Sequence, residues 1–149
     1  MKKFVFKLEP LLDYRKRLEE ISLKEFSVAL RTLDEEEGKL VLLNEMCRRS
    51  SEDIDRLKEE GAGADDFNMH YLYITGLKSH IKGQEAIIKA VRAEFEAKRA
   101  ELIEATRKKK VVETIKGKNL HEHMRMFEKE EQKTTDDITS SRFKRGGGE

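Results

Sequence analysis

Tryptophan is absent from the 149-residue sequence, aromatic residues make up only 7% of it, and it contains one proline and one cysteine. So few aromatic side chains, in a chain that is 41% charged against about 25% on average, exclude a thick globular core. The single Cys47 excludes an intrachain disulfide and fits a reducing compartment. No stretch is long and apolar enough to cross a membrane. The apolar part of the opening "MKKFVFKLEP" is too short for a signal peptide, so we expect a cytoplasmic protein.

The two signs of charge nearly cancel, since 31 basic and 30 acidic residues give a formal net charge of +1. A nucleic-acid-binding protein usually has a strong basic excess, so this balance argues against that class. The run "RKKKVV" (107–112) is the sharpest exception, but acidic residues lie close to it and no aromatic residues alternate with it. A charged helix face is the simpler interpretation. An arm that binds nucleic acid through Arg107–Lys110 stays open as an alternative.

Apolar residues recur every seven positions in both halves of the chain. The first series is Phe26, Leu33, Leu40, Cys47 and Ile54, and Leu12 lies on the same phase with Glu19 as the only break. The second series is Phe67, Ile74, Ile81, Ile88, Phe95 and Leu102, and Lys109 ends it. A repeat of this kind keeps one face of a helix against a partner helix. Each half is therefore predicted to be a coiled-coil helix.

The stretch "GAGADD" (61–66) separates the two series and predicts a turn. Gly61 and Gly63 can both take the left-handed conformation that ends a helix. Asp65 or Asp66 can then cap the following helix by accepting a backbone hydrogen bond. A connection this short joins helices that fold back on each other.

The predicted fold class is all-α, an antiparallel two-stranded α-helical coiled-coil hairpin with a longer second helix. After residue 133 the sequence "TTDDITSSRFKRGGGE" is polar and rich in glycine, which is typical of a flexible tail. The expected boundaries are helix one over about 8–60, a turn over 61–66, helix two over about 67–133, a single hairpin domain over 1–134 and a flexible tail over 135–149.

The residues that could support catalysis or metal binding do not form a convincing site. His121 and His123 are two positions apart, which places them on different faces of a helix, and no cysteine is near them. Cys47 belongs to the first heptad series and His70 lies three residues after Phe67 of the second, so both fit structural roles. "GAGADD" lacks the lysine of a phosphate-binding loop. We therefore expect no enzymatic activity, no metal and no cofactor.

Two segments carry more apolar residues than a two-stranded coil can bury. They are "LVLLNEM" (40–46) and "FNMHYLYITGL" (67–77). The apolar residues outside the heptad series are Val41, Leu42, Met46, Met69, Tyr71, Leu72 and Tyr73. Because a coiled coil buries only a narrow stripe, these side chains either face solvent or cover something. They predict a contact surface for a partner protein, with a thickened core or a homodimer face as the alternatives.

The two ends of the chain resemble those of one known family. The opening "FVFKLEPLLDYRKRLEE" (4–20) is similar to the start of the FliJ family of flagellar export proteins, which begins with alternating Phe and Leu before a charged helix. "EQKTTDDI" (131–138) resembles the closing pattern of that family. This resemblance implies an antiparallel coiled coil similar to the central stalk of rotary ATP synthases. It also implies a component of the flagellar type III export apparatus, peripheral to the cytoplasmic face of the inner membrane.

The partners that the resemblance implies are the export ATPase (FliI), whose ring assembly such proteins promote, the transmembrane export gate protein (FlhA), and export chaperones. Carried over by register, the residues expected to bind the gate are Leu43, Met46, Tyr73, Leu77 and Gln84. By analogy with a rotary stalk, the candidates for contact with the ATPase are Tyr14, Arg15, Arg17, Lys109 and Lys110. The alternatives are the equivalent stalk of a virulence secretion system, the nucleic-acid-binding arm, and a purely structural dimer or bundle.

Overall fold

The computed structural model describes residues 2–147, which form two long α-helices packed against each other and no β-strand. Helix α1 spans Glu9–Glu60 and helix α2 spans Ala64–Gly146, so the second helix is the longer. Side-chain contacts between them pair early residues of α1 with late residues of α2, which makes the helices antiparallel. The predicted fold class, an all-α hairpin with a longer second helix, is confirmed.

The connection between the helices is built around one glycine. Gly61 has a φ of 71°, and the N–H of Ala62 donates to the carbonyl of Leu57 at 3.1 Å. This bond across a left-handed residue is the Schellman arrangement that terminates helices. Helix α2 then begins at Ala64, so the connection is shorter than the expected turn over 61–66. Asp65 and Asp66 lie inside the first turn of α2, where their charge is favourable at the positive end of the helix dipole.

The chain divides into two compact units, and the first is residues Glu20–Ile103. Its buried apolar residues include Leu33, Ile54, Ile74 and Ile88 of the predicted heptad series. Ala29 and Leu77, each three residues after a series position, are also buried and complete the stripe. The rings of Phe26 and Phe95 are 5.2 Å apart between centroids. Two polar residues, Ser50 and Gln84, are buried in the same stripe. The heptad repeat therefore forms the helix–helix interface of this unit.

The second unit combines the residues up to Glu19 with those from Glu104 onward. Phe6, Leu12 and Val112 form its buried cluster, with Phe4 packed against it. Glu19 and Lys109, which interrupt the two heptad series, meet here with 2.8 Å between carboxylate oxygen and Nζ. The two charged residues that interrupt the apolar series therefore form an ion pair with each other.

Helix α2 continues through most of the segment for which we expected a tail. From 128 to 147 the side chains are exposed, yet the backbone is helical as far as Gly146. The threonine hydroxyls in this part of the helix bond to its own backbone: Thr134 donates to the Glu130 carbonyl at 2.9 Å and Thr135 to the Glu131 carbonyl at 3.0 Å. Flexibility of this helical end stays a prediction. The last two residues of the expected tail, 148 and 149, lie outside the described part of the chain.

Candidate protein-binding surfaces

The unit Glu20–Ile103 exposes large apolar side chains on both helices. Val41 and Leu42 on α1 are 66% and 65% exposed, and Met69 and Leu72 on α2 are 72% and 73% exposed. Met46, Tyr71 and Tyr73 are also exposed. We call these seven residues the apolar surface. Large apolar groups that remain this accessible in the free chain are typical of contact surfaces for other proteins.

The five residues expected to bind the gate divide into two groups in the structure. Met46 and Tyr73 belong to the apolar surface, and Leu43 is half-buried beside it. Leu77 and Gln84 are only 5% and 9% exposed, because both lie on the stripe of α2 that packs against α1. In this conformation both side chains lie in the helix–helix interface and offer little accessible surface, although Gln84 also lines a shallow groove on α2.

Gln84 is held by a specific polar contact. Its side-chain Nε2 donates to the backbone carbonyl of Glu36 at 2.9 Å and to the Glu36 carboxylate at 2.5 Å. The same carboxylate also accepts from Lys39 at 2.8 Å. The hydrogen bonds from Lys39 and Gln84 hold the pKa of the Glu36 carboxyl below its usual value, so the carboxylate is the stable acceptor.

Several shallow grooves lie on the same unit, and two of them were not indicated by the sequence patterns. One has a volume of about 370 Å³ and runs along α2 over Gly76, Gly83 and Ile87, where a Cβ added at either glycine would meet nothing within 4 Å. The other has a volume of about 440 Å³, and Val28 and Val91 are among the residues that line it. Val28, an apolar residue outside the heptad series that is 60% exposed, could have indicated the second groove from the sequence.

The residues expected to contact the ATPase lie in the other unit and are mostly accessible. Tyr14 is 54% exposed, and the guanidinium of Arg15 lies 5.8 Å from the centre of its ring. Arg17 and Lys110 are exposed. Lys109 differs, because it is half-buried in its ion pair with Glu19.

That ion pair changes the acidity of both members. The hydrogen bond between them is the main cause, and it lowers the pKa of the Glu19 carboxyl and raises the pKa of the Lys109 ammonium. The nearby side chain of Thr106 lowers the pKa of Glu19 further. Lys109 therefore has a structural role in joining α1 to α2.

The basic run at 107–110 is largely neutralised by neighbouring acids. Arg107 pairs with Glu104 at 2.6 Å, and Lys108 approaches the same carboxylate at 4.0 Å. Lys109 is occupied by Glu19. Of the four, Lys110 alone forms no ion pair with any described residue. This arrangement corresponds to a charged helix face and does not favour the nucleic-acid-binding arm.

Between residues 2 and 147, no group of three or more His, Cys, Asp or Glu side chains is placed to hold a metal ion. Over the same range, neither helix has a stretch apolar and long enough to span a membrane. The features that the two units offer are apolar and charged helix surfaces. Fold and surfaces together define an all-α helical-hairpin protein with exposed apolar and charged helix faces.

The comparisons with known proteins specify the family. The model of one protein family, described as "Flagellar FliJ protein", matches residues 3–148. Because this match covers nearly the whole chain, the protein belongs to the FliJ family and is a component of the flagellar export apparatus. Comparison with curated proteins and with solved structures gave no match.

Proposed function

We propose that this protein binds the export ATPase of the flagellar apparatus and promotes its assembly, and that it also contacts the transmembrane export gate protein. Its role is that of a non-enzymatic coupling protein, held at the cytoplasmic face of the inner membrane by these protein contacts. Export chaperones are further candidate partners. Membership of the FliJ family supports a place in the export apparatus. The observation that carries the proposal is the apolar surface, which the fold leaves uncovered.

The gate contact is proposed on that apolar surface. Leu72 and Met69 on α2, with Val41 and Leu42 on α1, offer apolar side chains that are about two-thirds or more exposed. Burial of such groups by a partner supplies the main favourable term in protein association. Leu77 is buried in the helix–helix interface and would act indirectly, by stabilising the helix pair that carries this surface.

The ATPase contact is proposed on the unit that contains both termini. Tyr14 is half-exposed and stacks against Arg15, and both Tyr and Arg are enriched in protein interfaces. Exposed methionines at 124 and 126 add adaptable apolar area on α2. Arg17 and Lys110 supply accessible positive charge.

The test is a titration of the full chain into the purified export ATPase of the same organism, with ATP hydrolysis and oligomer size followed together. We expect substoichiometric protein to raise the hydrolysis rate and to shift the ATPase toward larger assemblies. The double variant Arg15→Ala with Arg17→Ala should weaken both effects. Arg31→Ala is the matched control, because Arg31 is exposed in the other unit and forms no ion pair with described residues. No change in rate or oligomer size with the unaltered protein, at low and high salt, would contradict the ATPase role.

A further inference from the structure

The hydrogen-bonded pair of Gln84 and Glu36 has a feature that the fold does not require. Both residues occupy positions of the apolar stripe: Gln84 comes seven residues after Leu77, and Glu36 comes seven residues before Leu43. Gln84 is 9% exposed, and the Glu36 side chain is 16% exposed. Two apolar residues would fill these positions without the need to satisfy buried polar atoms. The polar pair therefore calls for an explanation other than burial of apolar area.

The contact is specific to one alignment of the helices. Sliding α1 past α2 by one turn, about 5.4 Å, would bring Leu33 or Leu40 opposite Gln84 in place of Glu36. The Gln84 amide would then keep a backbone carbonyl of α1 as an acceptor but would lose the Glu36 carboxylate, the acceptor that is specific to this alignment. Apolar side chains alone discriminate less well between such alignments, since one leucine packs much like the next.

The connection between the helices does not by itself fix their alignment. It has three residues, Gly61 to Gly63, and unwinding about two further residues at a helix end would span the length of one turn. Helix ends fray readily. A slipped hairpin is therefore accessible to the backbone, and the side chains of the stripe must select against it.

We propose that Gln84 and Glu36 fix the alignment of α1 against α2 in this unit, and thereby hold the two halves of the apolar surface in their binding arrangement. With Glu36 opposite Gln84, Met46 on α1 lies level with Tyr73 and Ile74 on α2, and it does so only while the helices keep this alignment. Gln84 is then a positioning residue for partner binding. It acts through Glu36 and does not touch the partner. The second half of this inference rests on the proposed gate contact, and the first half is independent of it.

The alignment can be measured directly in the full chain. Spin labels are attached through Arg31→Cys on α1 and Lys78→Cys on α2, both exposed positions, in a Cys47→Ala background, and their separation is measured by double electron–electron resonance. We expect one narrow distance distribution for the unaltered pair. For Gln84→Leu combined with Glu36→Leu, we expect a broadened distribution or a second population shifted by up to about 5 Å, the length of one helical turn. The double leucine variant is chosen because it leaves no unpaired polar group in the interface.

The control for this measurement removes an ion pair that lies outside the stripe. Arg92 and Glu37 are 2.8 Å apart and both are more than 40% exposed. Arg92→Gln with Glu37→Gln should keep the narrow distribution. If the double leucine variant also gave the single unaltered distance, the role in alignment would be overturned.

Binding to the soluble part of the gate protein separates the two halves of the inference. Weakened gate binding together with a broadened distance distribution supports both. Weakened binding with an unaltered distance overturns the inference in favour of direct contact by Gln84. A broadened distribution with unaltered binding overturns only the claim that partner binding depends on the alignment. If the unaltered protein does not bind the gate at all, the proposed function fails, and the distance measurement still decides the first half.

Discussion

Leu72→Ala provides the most direct test of the apolar surface. Leu72 is 73% exposed, so a partner that covered it would remove most of its side chain from water. Full burial of a leucine side chain contributes about 1.5–3 kcal/mol. About three-quarters of that amount corresponds to roughly 1–2 kcal/mol, and each 1.4 kcal/mol is a factor of about ten in affinity. We therefore expect the Kd for the gate protein to rise about 5- to 30-fold.

The same substitution should leave the fold intact. The side chain is largely solvated in the free chain, and alanine is the best helix former, so the free energy of unfolding should stay within about 0.5 kcal/mol. The assay is calorimetric titration with the soluble part of the gate protein, paired with urea unfolding followed by circular dichroism. Lys78→Ala is the matched control on the same helix, because Lys78 is exposed and forms no ion pair with the described residues. It should change neither quantity.

Leu77→Ala should give the opposite pattern, because Leu77 is only 5% exposed and packs in the interface with α1. The free energy of unfolding should fall by about 2–5 kcal/mol, and any loss of gate binding should follow the loss of folded protein. A Leu72→Ala chain that folds as well as the unaltered protein and binds the gate with the same Kd would refute the assignment of this surface.

Three further predictions concern stability. Gly83→Ala should raise the free energy of unfolding, measured with urea, by about 0.5–1 kcal/mol, because the glycine is inside a helix and an added Cβ meets nothing within 4 Å. Gly38→Ala has the same open surroundings and should give a similar gain. A loss of stability at either position would contradict this expectation. Leu12→Ala should cost about 2–5 kcal/mol in the same assay, since Leu12 is 2% exposed at the centre of its cluster, and a cost below about 1 kcal/mol would show that the cluster is not stabilising. Because the hydrogen bond from Lys109 lowers the pKa of Glu19 in the folded state, the pair should contribute stability above the ordinary carboxyl value of 4.5, and that contribution should be lost as the pH falls through the lowered pKa. Glu19→Gln should therefore flatten the dependence of unfolding on pH in the acid range, and an unchanged acid profile would contradict this reading.

The sequence was sufficient for the parts of the fold that depend on periodicity. A seven-residue apolar repeat determines which face of each helix is buried, and Ile74 and Ile88 are buried as that repeat predicts. Gly61 is the left-handed residue at the end of α1, as the turn chemistry predicts. These features are local, since each depends on residues within a few turns of one helix.

The features that the sequence did not predict depend on which residues of the two helices meet. In the sequence, Glu19 and Lys109 each interrupt an apolar series, and only the structure shows that they form an ion pair with each other. The burial of Gln84 has the same origin, because its partner is 48 positions away in the chain. Periodicity specifies a face of a helix but does not specify the residue opposite it. The exposure of Met69 and Leu72 therefore followed from the sequence pattern, and the contact between Gln84 and Glu36 did not.

The separation of exposed and supporting residues follows from the two-helix fold itself. Each helix can bury only one stripe against the other, so the remaining faces are accessible whatever their composition. In a chain that is 41% charged, solubility favours charged residues on those faces, yet Leu72 and Met69 are exposed there. Gly76 and Gly83 lie in the same helix and lower its stability, although no described neighbour comes close enough to require a glycine. Stability alone explains neither choice. A partner that packs against this face of α2 would explain both, because it would cover the apolar groups and could approach the helix backbone closely at the glycines.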